Sequence, residues 1–381
     1  MGGIGTYTYN MASALSKIGH QIHVISATSD SDQTINDNGV WVHRIKRNKL
    51  IPYELCLLKY SHAVSKKIYQ IDCPFDIVHS SEFGGEAFWF CLNNKIPLVT
   101  RLATPFYLTE KLNGKSLFGP RPFPDFIEKK QTLKSNGIFT STKALATEVS
   151  QQWHIEPSRV TVIPNSVDIS RVVKFSKSGI FPDSLRGIDY LLYFGRLEER
   201  KGVRVLASIL PDIFRQIPNI HMVFVGKDLG YQGSSMKETI LKECPEFNNK
   251  ITFYDNLPHE ELFPIVGHSR MVILPSLWEA FGFVVVEALG LGRPVIATSG
   301  SGFDEIIEHN KSGFLVEPGN STALAEEIIK QLKNQDKLDK VSEEAVKRAQ
   351  HFEVSKIAKQ LLTYYETIMR DGPGSRETSA N

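Results

Sequence analysis

At 381 residues the chain is long enough for two ordinary domains. Its composition, 41% hydrophobic and 23% charged, excludes disorder and fibrous folds. A net charge of +2 excludes a nucleic-acid-binding protein, and no apolar run approaches the roughly 18 residues of a membrane span.

In chain order, MGGIGTYTYNMASAL reads as a glycine turn opening an amphipathic helix. Such a turn normally follows a buried strand. Only Met1 precedes it, so the expectation is that the first strand of the first domain is missing. The start has no basic segment followed by an apolar core, so no secretory signal is expected. Gly2 and Thr6 fit the short myristoylation pattern, which recurs by accident. Strand candidates in the first block are QIHVIS (21–26), DIVHSS (76–81), PLVTRLA (97–103), GIFTST (137–142) and VTVIPN (160–165), with KALATEVSQQW as a helix among them. The second block offers YLLYFGRL (190–197), HMVFVGK (221–227), KITFYDN (250–256), RMVILPS (270–276) and PVIATSG (294–300). Helical patterns alternate with them, in VRVLASILPDIFRQI and TALAEEIIKQLKNQ.

The alternation predicts an α/β protein of two Rossmann-like, doubly wound domains whose strands end near a common cleft. The expected division is 1–173, a Ser/Gly/Pro-rich linker at 174–187, 188–352, a helix at 353–371 and a disordered tail at 372–381. The four cysteines lack metal or disulfide spacing and read as buried thiols of a reducing cytoplasm. Residues 1–170 hold 18 Lys/Arg against 14 Asp/Glu, with basic clusters in HRIKRNK (43–49) and at Lys66, Lys67, Lys129 and Lys130. A solvated face is the default reading. The minority reading is contact with anionic lipid or an anionic acceptor.

Three stretches carry chemistry. Gly3 and Gly5, before a helix, let the backbone approach a phosphate, though the spacing is not that of a nicotinamide-cofactor site. In FGRLEERKG (194–202), Arg196 and Lys201 bracket a strand-to-helix loop, and two cations there suit a diphosphate. In LPSLWEAFGFVVVEALGLGRP, Glu279 lies in a loop and Glu287 in the following helix. A carboxylate in so apolar a run needs a partner. An ionised carboxylate can accept two hydrogen bonds from a vicinal diol. The amides of Phe281, Gly282 and Phe283 open the helix and can face an anion. The bland alternative is Glu287 salt-bridged in the core and Glu279 exposed.

Together, VIPNSVD, FGRLEERKG, PSLWEAFGFVVVEALGLGRPVIAT, SGSGFDEII and SGFLVEPGN resemble glycosyltransferase family 4 in order and approximate spacing, over nearly the whole chain. The resemblance implies a two-Rossmann GT-B architecture and retaining transfer from a nucleotide sugar. By position it implies that Glu279 contacts the donor sugar's hydroxyls, Glu287 the ribose, and Arg196 and Lys201 the diphosphate, and that Phe281 to Phe283 help bind sugar and phosphate. It also implies a terminal helix crossing back onto the first domain. The departures are Ser166 where Gly is usual, Ser81 where a second His is frequent beside His79, and Ala103 where many members have a donor-lining His.

The expected activity is hexose transfer from a UDP-, GDP- or ADP-sugar to a hydroxyl acceptor on a glycan or glycolipid. No metal or other cofactor is expected, because cations and a helix N-terminus can stabilise the departing diphosphate. The expected location is cytoplasmic, with peripheral contact to a membrane's inner face as a further possibility. Two alternatives share the second domain's motifs: a nucleotide-sugar hydrolase or epimerase, and a truncated, inactive partner of an intact transferase.

Overall fold

The computed structural model describes residues 2–47, 50–92, 95–113, 123–231 and 233–371. The chain forms two compact units, one of residues 1–166 with 354–381 and one of 167–353.

The first unit opens with α1 (Gly3–Lys17), whose Tyr7, Met11, Ala12 and Leu15 form the buried stripe of an amphipathic helix. Gly3 and Gly5 therefore sit inside the first helical turn, with Gly2 as its cap. β1 (Ile22–Thr28) leads to β2 (Gln33–Asp37) and β3 (Val40–Lys46). The last two form a hairpin on Asn38 and Gly39, with φ of 51° and 89°, the left-handed pair a two-residue turn requires. β1 pairs with β3 in parallel, giving a three-stranded sheet in the order β1-β3-β2.

Next come α2 (Tyr53–Gln70), β4 (Val78–Ser81), α3 (Phe88–Leu92), β5 (Leu98–Leu102), α4 (Phe106–Leu112), α5 (Phe123–Lys134), β6 (Gly137–Thr140), α6 (Lys143–Trp153) and β7 (Val160–Val162). β4 to β7 form a separate, parallel four-stranded sheet in chain order. Buried acids and amides of α5 hold its loops. Glu128 accepts from the amides of Gly84 at 2.8 Å and Phe106 at 2.7 Å, Gln131 from that of Ala87, and Asp125 from the indole of Trp153 at 2.9 Å.

The second unit contains α7 (Ile169–Ser178), β8 (Asp189–Phe194), α8 (Val203–Gln216), β9 (Ile220–Val225), α9 (Met236–Glu243), β10 (Ile251–Tyr254), α10 (His259–His268), β11 (Met271–Leu274), α11 (Phe283–Gly290), β12 (Val295–Thr298), β13 (Phe314–Val316), α12 (Ser321–Leu332) and α13 (Gln335–Ala349). Its six strands form one parallel sheet in the order β10-β9-β8-β11-β12-β13. Helices cover both faces, so β8, β9, β11 and β12 read as nearly unbroken apolar runs. The chain leaves β8, extends the sheet one way to β10, then starts again at β11 on the other side of β8. That reversal is the topological switch point of a doubly wound sheet.

The chain then returns to the first unit as α14 (Val354–Asp371). Its Tyr364 hydroxyl donates to the carbonyl of Ile138, and its Tyr365 hydroxyl lies 2.5 Å from Nδ1 of His79. Burial first, and then the Arg101 charge, pull the His79 pKa down to about 3, so this imidazole is neutral.

The expected linker needs correction. The division falls between Ser166 and Val167, and 174–187 is not a spacer between units. Residues 174–178 complete α7, which buries Ile169 and Val172 against the second unit, and Leu185 is a buried core residue there. Ser and Gly in this stretch end a helix. The tail 372–381 and residues 48–49 of the basic cluster lie outside the described residues.

A glycine occupies one of the fold's most crowded points. Gly202 caps α8 with φ of 67°, and a Cβ there would lie 1.8 Å from the carbonyl oxygen of Pro275. Gly202→Ala should therefore destabilise the protein by at least about 2 kcal/mol, from left-handed strain and the clash together. Urea unfolding of wild type and variant measures it.

Candidate active site

The second unit's site is built where its sheet reverses. The loop after β8 (195–202) and the loop after β11 (275–282) meet through their backbones. The Leu277 amide donates to the Arg200 carbonyl at 2.9 Å, and Gly202 touches Pro275. The turn after β12 joins them, since the Gly302 amide donates to the Glu279 carbonyl at 2.8 Å. Three neighbouring strands thus deliver their carboxyl ends to one place.

Lys201 and Glu279 form an ion pair there, both mostly buried, and Ser276 donates to the same Glu279 oxygen at 3.0 Å. Burial pushes the Glu279 carboxyl up, but Lys201 and Arg200 outweigh it and hold the group below its ordinary value, ionised. Burial draws the Lys201 ammonium down, with Arg200 and Arg196 adding to the effect and Glu279 opposing it. Arg196 is half exposed at the rim and pairs with Glu198 at 3.1 Å, while the more buried Arg200 meets the same carboxylate at 2.8 Å. Tyr193 supports the loop from below by donating to the Arg196 carbonyl at 2.7 Å.

α11 begins beside this cluster. Gly282 caps it with φ of 102°, and a Cβ there would lie 2.3 Å from the ring of Phe303. The flanking rings of Phe281 and Phe283 meet edge to face at 5.6 Å. The first-turn N–H groups have no acceptor within the helix. Glu287 lies in the next turn. Its carboxylate has no hydrogen bond or ion pair among the described residues, and burial alone pushes its pKa up to about 7.

Of the expected site residues, Arg196, Lys201, Glu279, Phe281, Gly282, Phe283 and Glu287 belong to the second unit, while Gly3 and Gly5 belong to the first. The bland alternative is reversed: Glu279 is the acid with a salt bridge, and Glu287 is the one without. Sequence reasoning missed Glu198, Arg200 and Ser276, although Glu198 and Arg200 lie inside FGRLEERKG. It also missed Ser301, whose buried hydroxyl has no partner among the described residues.

Two family models divide the chain between them. Glycosyltransferase Family 4 matches residues 1–171, and Glycosyl transferases group 1 matches residues 185–348. The chain belongs to glycosyltransferase family 4. It is 24% identical to a D-inositol 3-phosphate glycosyltransferase of Corynebacterium urealyticum, over 100% of this chain and 95% of the relative. Among solved structures, sucrose-phosphate synthase from Thermosynechococcus elongatus superposes with a TM-score of 0.81 at 20% identity, covering 97% of this chain and 94% of that one. HepE of Anabaena, in complex with UDP-glucose, gives 0.73 at 18% identity, with 96% of each chain covered. The two α/β units are thus those of a GT-B enzyme, and this family 4 member is a sugar transferase. Among its described residues no helix is long and apolar enough to cross a membrane.

The raised pKa of Glu287 makes a signed prediction. Its neutral form is favoured by folding, so the wild-type chain loses stability as pH rises from about 4.5 through about 7. Glu287→Gln should therefore match wild type near pH 4 and exceed it at pH 8 by up to about 3 kcal/mol. Urea unfolding at both pH values checks the sign.

Proposed function

We propose that this transferase moves a hexose from a nucleoside-diphosphate sugar to a hydroxyl acceptor of a glycolipid or polysaccharide pathway, with retention of configuration. One observation carries the reading: an ionised, lysine-paired Glu279 and a half-buried Glu287 with no partner among the described residues flank a helix start at the sheet's switch point. A carboxylate such as Glu287, with no partner among the described residues, suits a ligand that supplies one.

Glu279, kept ionised by Lys201 and Arg200, accepts hydrogen bonds from donor-sugar hydroxyls and is a poor general acid. Glu279 is therefore not the protonated carboxyl that a glycosidase needs at the scissile bond. Glu287 accepts from the ribose diol. Arg196, exposed at the rim, and Lys201 meet the diphosphate, with the first-turn amides of α11 adding partial positive charge. As the bond from the sugar's anomeric carbon to the phosphate oxygen breaks, negative charge grows on the diphosphate, and these fixed positive groups stabilise it. A donor phosphate oxygen takes the acceptor's hydroxyl proton while the acceptor oxygen bonds to the same face of the anomeric carbon. Transfer without a metal ion is part of the proposal, and rests on these cations.

HepE has been solved in complex with UDP-glucose, which makes UDP the first nucleotide to try. The relative named for D-inositol 3-phosphate favours a polyol acceptor bearing a phosphate. Exposed Arg44, Lys66 and Lys130 on the first unit are compatible with an anionic acceptor or a membrane face.

Thermal unfolding with UDP, GDP and ADP in a chelator tests the donor site. A nucleotide at 100 times its dissociation constant should add about 2.7 kcal/mol to wild type and much less to Glu287→Ala. If none of the three raises the midpoint while the protein melts cooperatively, the proposal is wrong. Proton NMR of the product with acceptor present checks retention, and free sugar formed without any acceptor would point instead to a hydrolase.

A further inference from the structure

In the first unit α3 packs against both α2 and α5, and each of the three helices turns one stripe inward and another to solvent. On α2 the inward stripe is Leu57, Tyr60, Val64 and Ile68. Its outward stripe is Leu55, Lys59, His62, Lys66 and Tyr69, in steps of four and three residues. On α5 the outward stripe is Phe126, Lys130 and Lys134, and on α3 it is Trp89 and Leu92. Leu55, Tyr69, Trp89, Leu92 and Phe126 are between 41% and 56% exposed. A single side chain of this kind on a surface is ordinary, but several on touching helices form a patch.

Contacts join the stripes into one face. The Trp89 indole donates to the Leu58 carbonyl of α2 at 3.1 Å, and its ring meets His62 edge-on at 6.0 Å. Towards α5, Trp89 meets Phe88 at 5.7 Å, and Phe88 packs with Leu57 and Ile127. Phe123 lies against that cluster and meets Phe126 at 6.4 Å. The charges on this face are nearly all of one sign. Lys59, Lys66, Lys130 and Lys134 are exposed. The acids of α5 point the other way, Asp125 to the Trp153 indole and Glu128 to the amides of Gly84 and Phe106. Glu54, in the first turn of α2, is the one acid at an exposed position of these three helices.

We infer that this face seats the first unit on an anionic lipid bilayer, with its helices lying in the headgroup layer. Trp, Tyr, Phe and Leu side chains of this length reach the boundary between headgroups and acyl chains. Lysines among them extend their ammonium groups to lipid phosphates while their methylenes cover apolar surface. The bilayer presents an anionic layer over an apolar one, which matches the mixture of Lys and large apolar side chains in the stripes of α2 and α5. A second copy docked face to face would oppose lysine to lysine. Glu128 of α5 holds the loops after β4 and β5, so docking sets the carboxyl ends of those strands roughly 10 Å, one helix diameter, from the lipid. An acceptor carried in the membrane then meets the transferase at that end. That last step rests on the proposed function, whereas the docking itself does not.

Co-sedimentation with vesicles tests the docking without any sugar substrate. Wild type should pellet with phosphatidylcholine vesicles containing about a third phosphatidylglycerol, at about 1 mM lipid, and stay in solution with phosphatidylcholine alone. Lys66→Gln combined with Lys130→Gln should weaken binding about thirtyfold. Lys330→Gln combined with Lys347→Gln, the same charge change on the second unit, should leave it unaltered. Brominated lipid should quench the tryptophan emission of wild type, and Trp89→Phe, at an unchanged Tm, should remove most of that quenching. No binding to the anionic vesicles, equal binding to phosphatidylcholine alone, or equal losses in the two double variants overturns the inference. So does quenching that survives Trp89→Phe, or a wild-type dimer that Phe126→Ser dissociates, since the face then belongs to a second copy. None of these outcomes bears on the donor site, which the nucleotide experiment reads separately.

Discussion

The contact on which the second unit's chemistry depends is between two pieces of backbone, Gly202 and Pro275, at the ends of neighbouring strands. No side chain fits between them. This closeness lets Leu277 bond to Arg200 and brings Lys201 onto Glu279, 78 positions later in the chain. A buried carboxylate and a buried ammonium each cost several kcal/mol to desolvate alone, and they are tolerable only together. The backbone contact therefore determines the charge state of the site. With Lys201 in place Glu279 stays ionised, and without it burial would favour the protonated acid.

Glu287 follows the opposite logic a few residues away. It stands on α11, among Val285, Val286, Ala288 and Leu289, all fully buried, and no cation of the described residues reaches it. A stability-driven sequence would place an apolar residue or a partner there. Two carboxylates in one short segment, one compensated and one not, fit the proposed division in which each meets a different hydroxyl-bearing group of the donor. On that proposal, binding rather than folding accounts for the uncompensated one.

What could be read from sequence follows from what buries each element. The second unit's strands lie between two helical layers, so LLYF, MVFV, MVIL and VIAT stand out as apolar runs, and each is a strand. β2 and β3 went unread because they lie on one side of a sheet edge. β2 is exposed throughout, and β3 places Arg44 and Lys46 among its apolar positions, so HRIKRNK reads as a charged cluster. The Asn38–Gly39 turn between them was the available signal. The linker was misplaced because Ser and Gly composition marks a helix end as well as a spacer, and only the buried Ile169 and Val172 tell the two apart. The motif acids and cations were legible as residues, but their pairing was not. Whether Lys201 meets Glu279 or Glu287 depends on how β8 and β11 are ordered in the sheet, which no local pattern encodes.

The same reasoning bears on the two units' unequal finish. In the second unit a single sheet reverses direction between β8 and β11, and each strand there has a neighbour on both sides. In the first unit the reversal would fall between β1 and β4, and there the ladder is interrupted. A doubly wound sheet gathers loops for a ligand where its winding changes hand, and among the described residues the first unit's strands form two sheets at that place. Gly3 and Gly5 occupy the first turn of α1. The second unit's candidate site, by contrast, is assembled from loops at the strand ends of one continuous sheet.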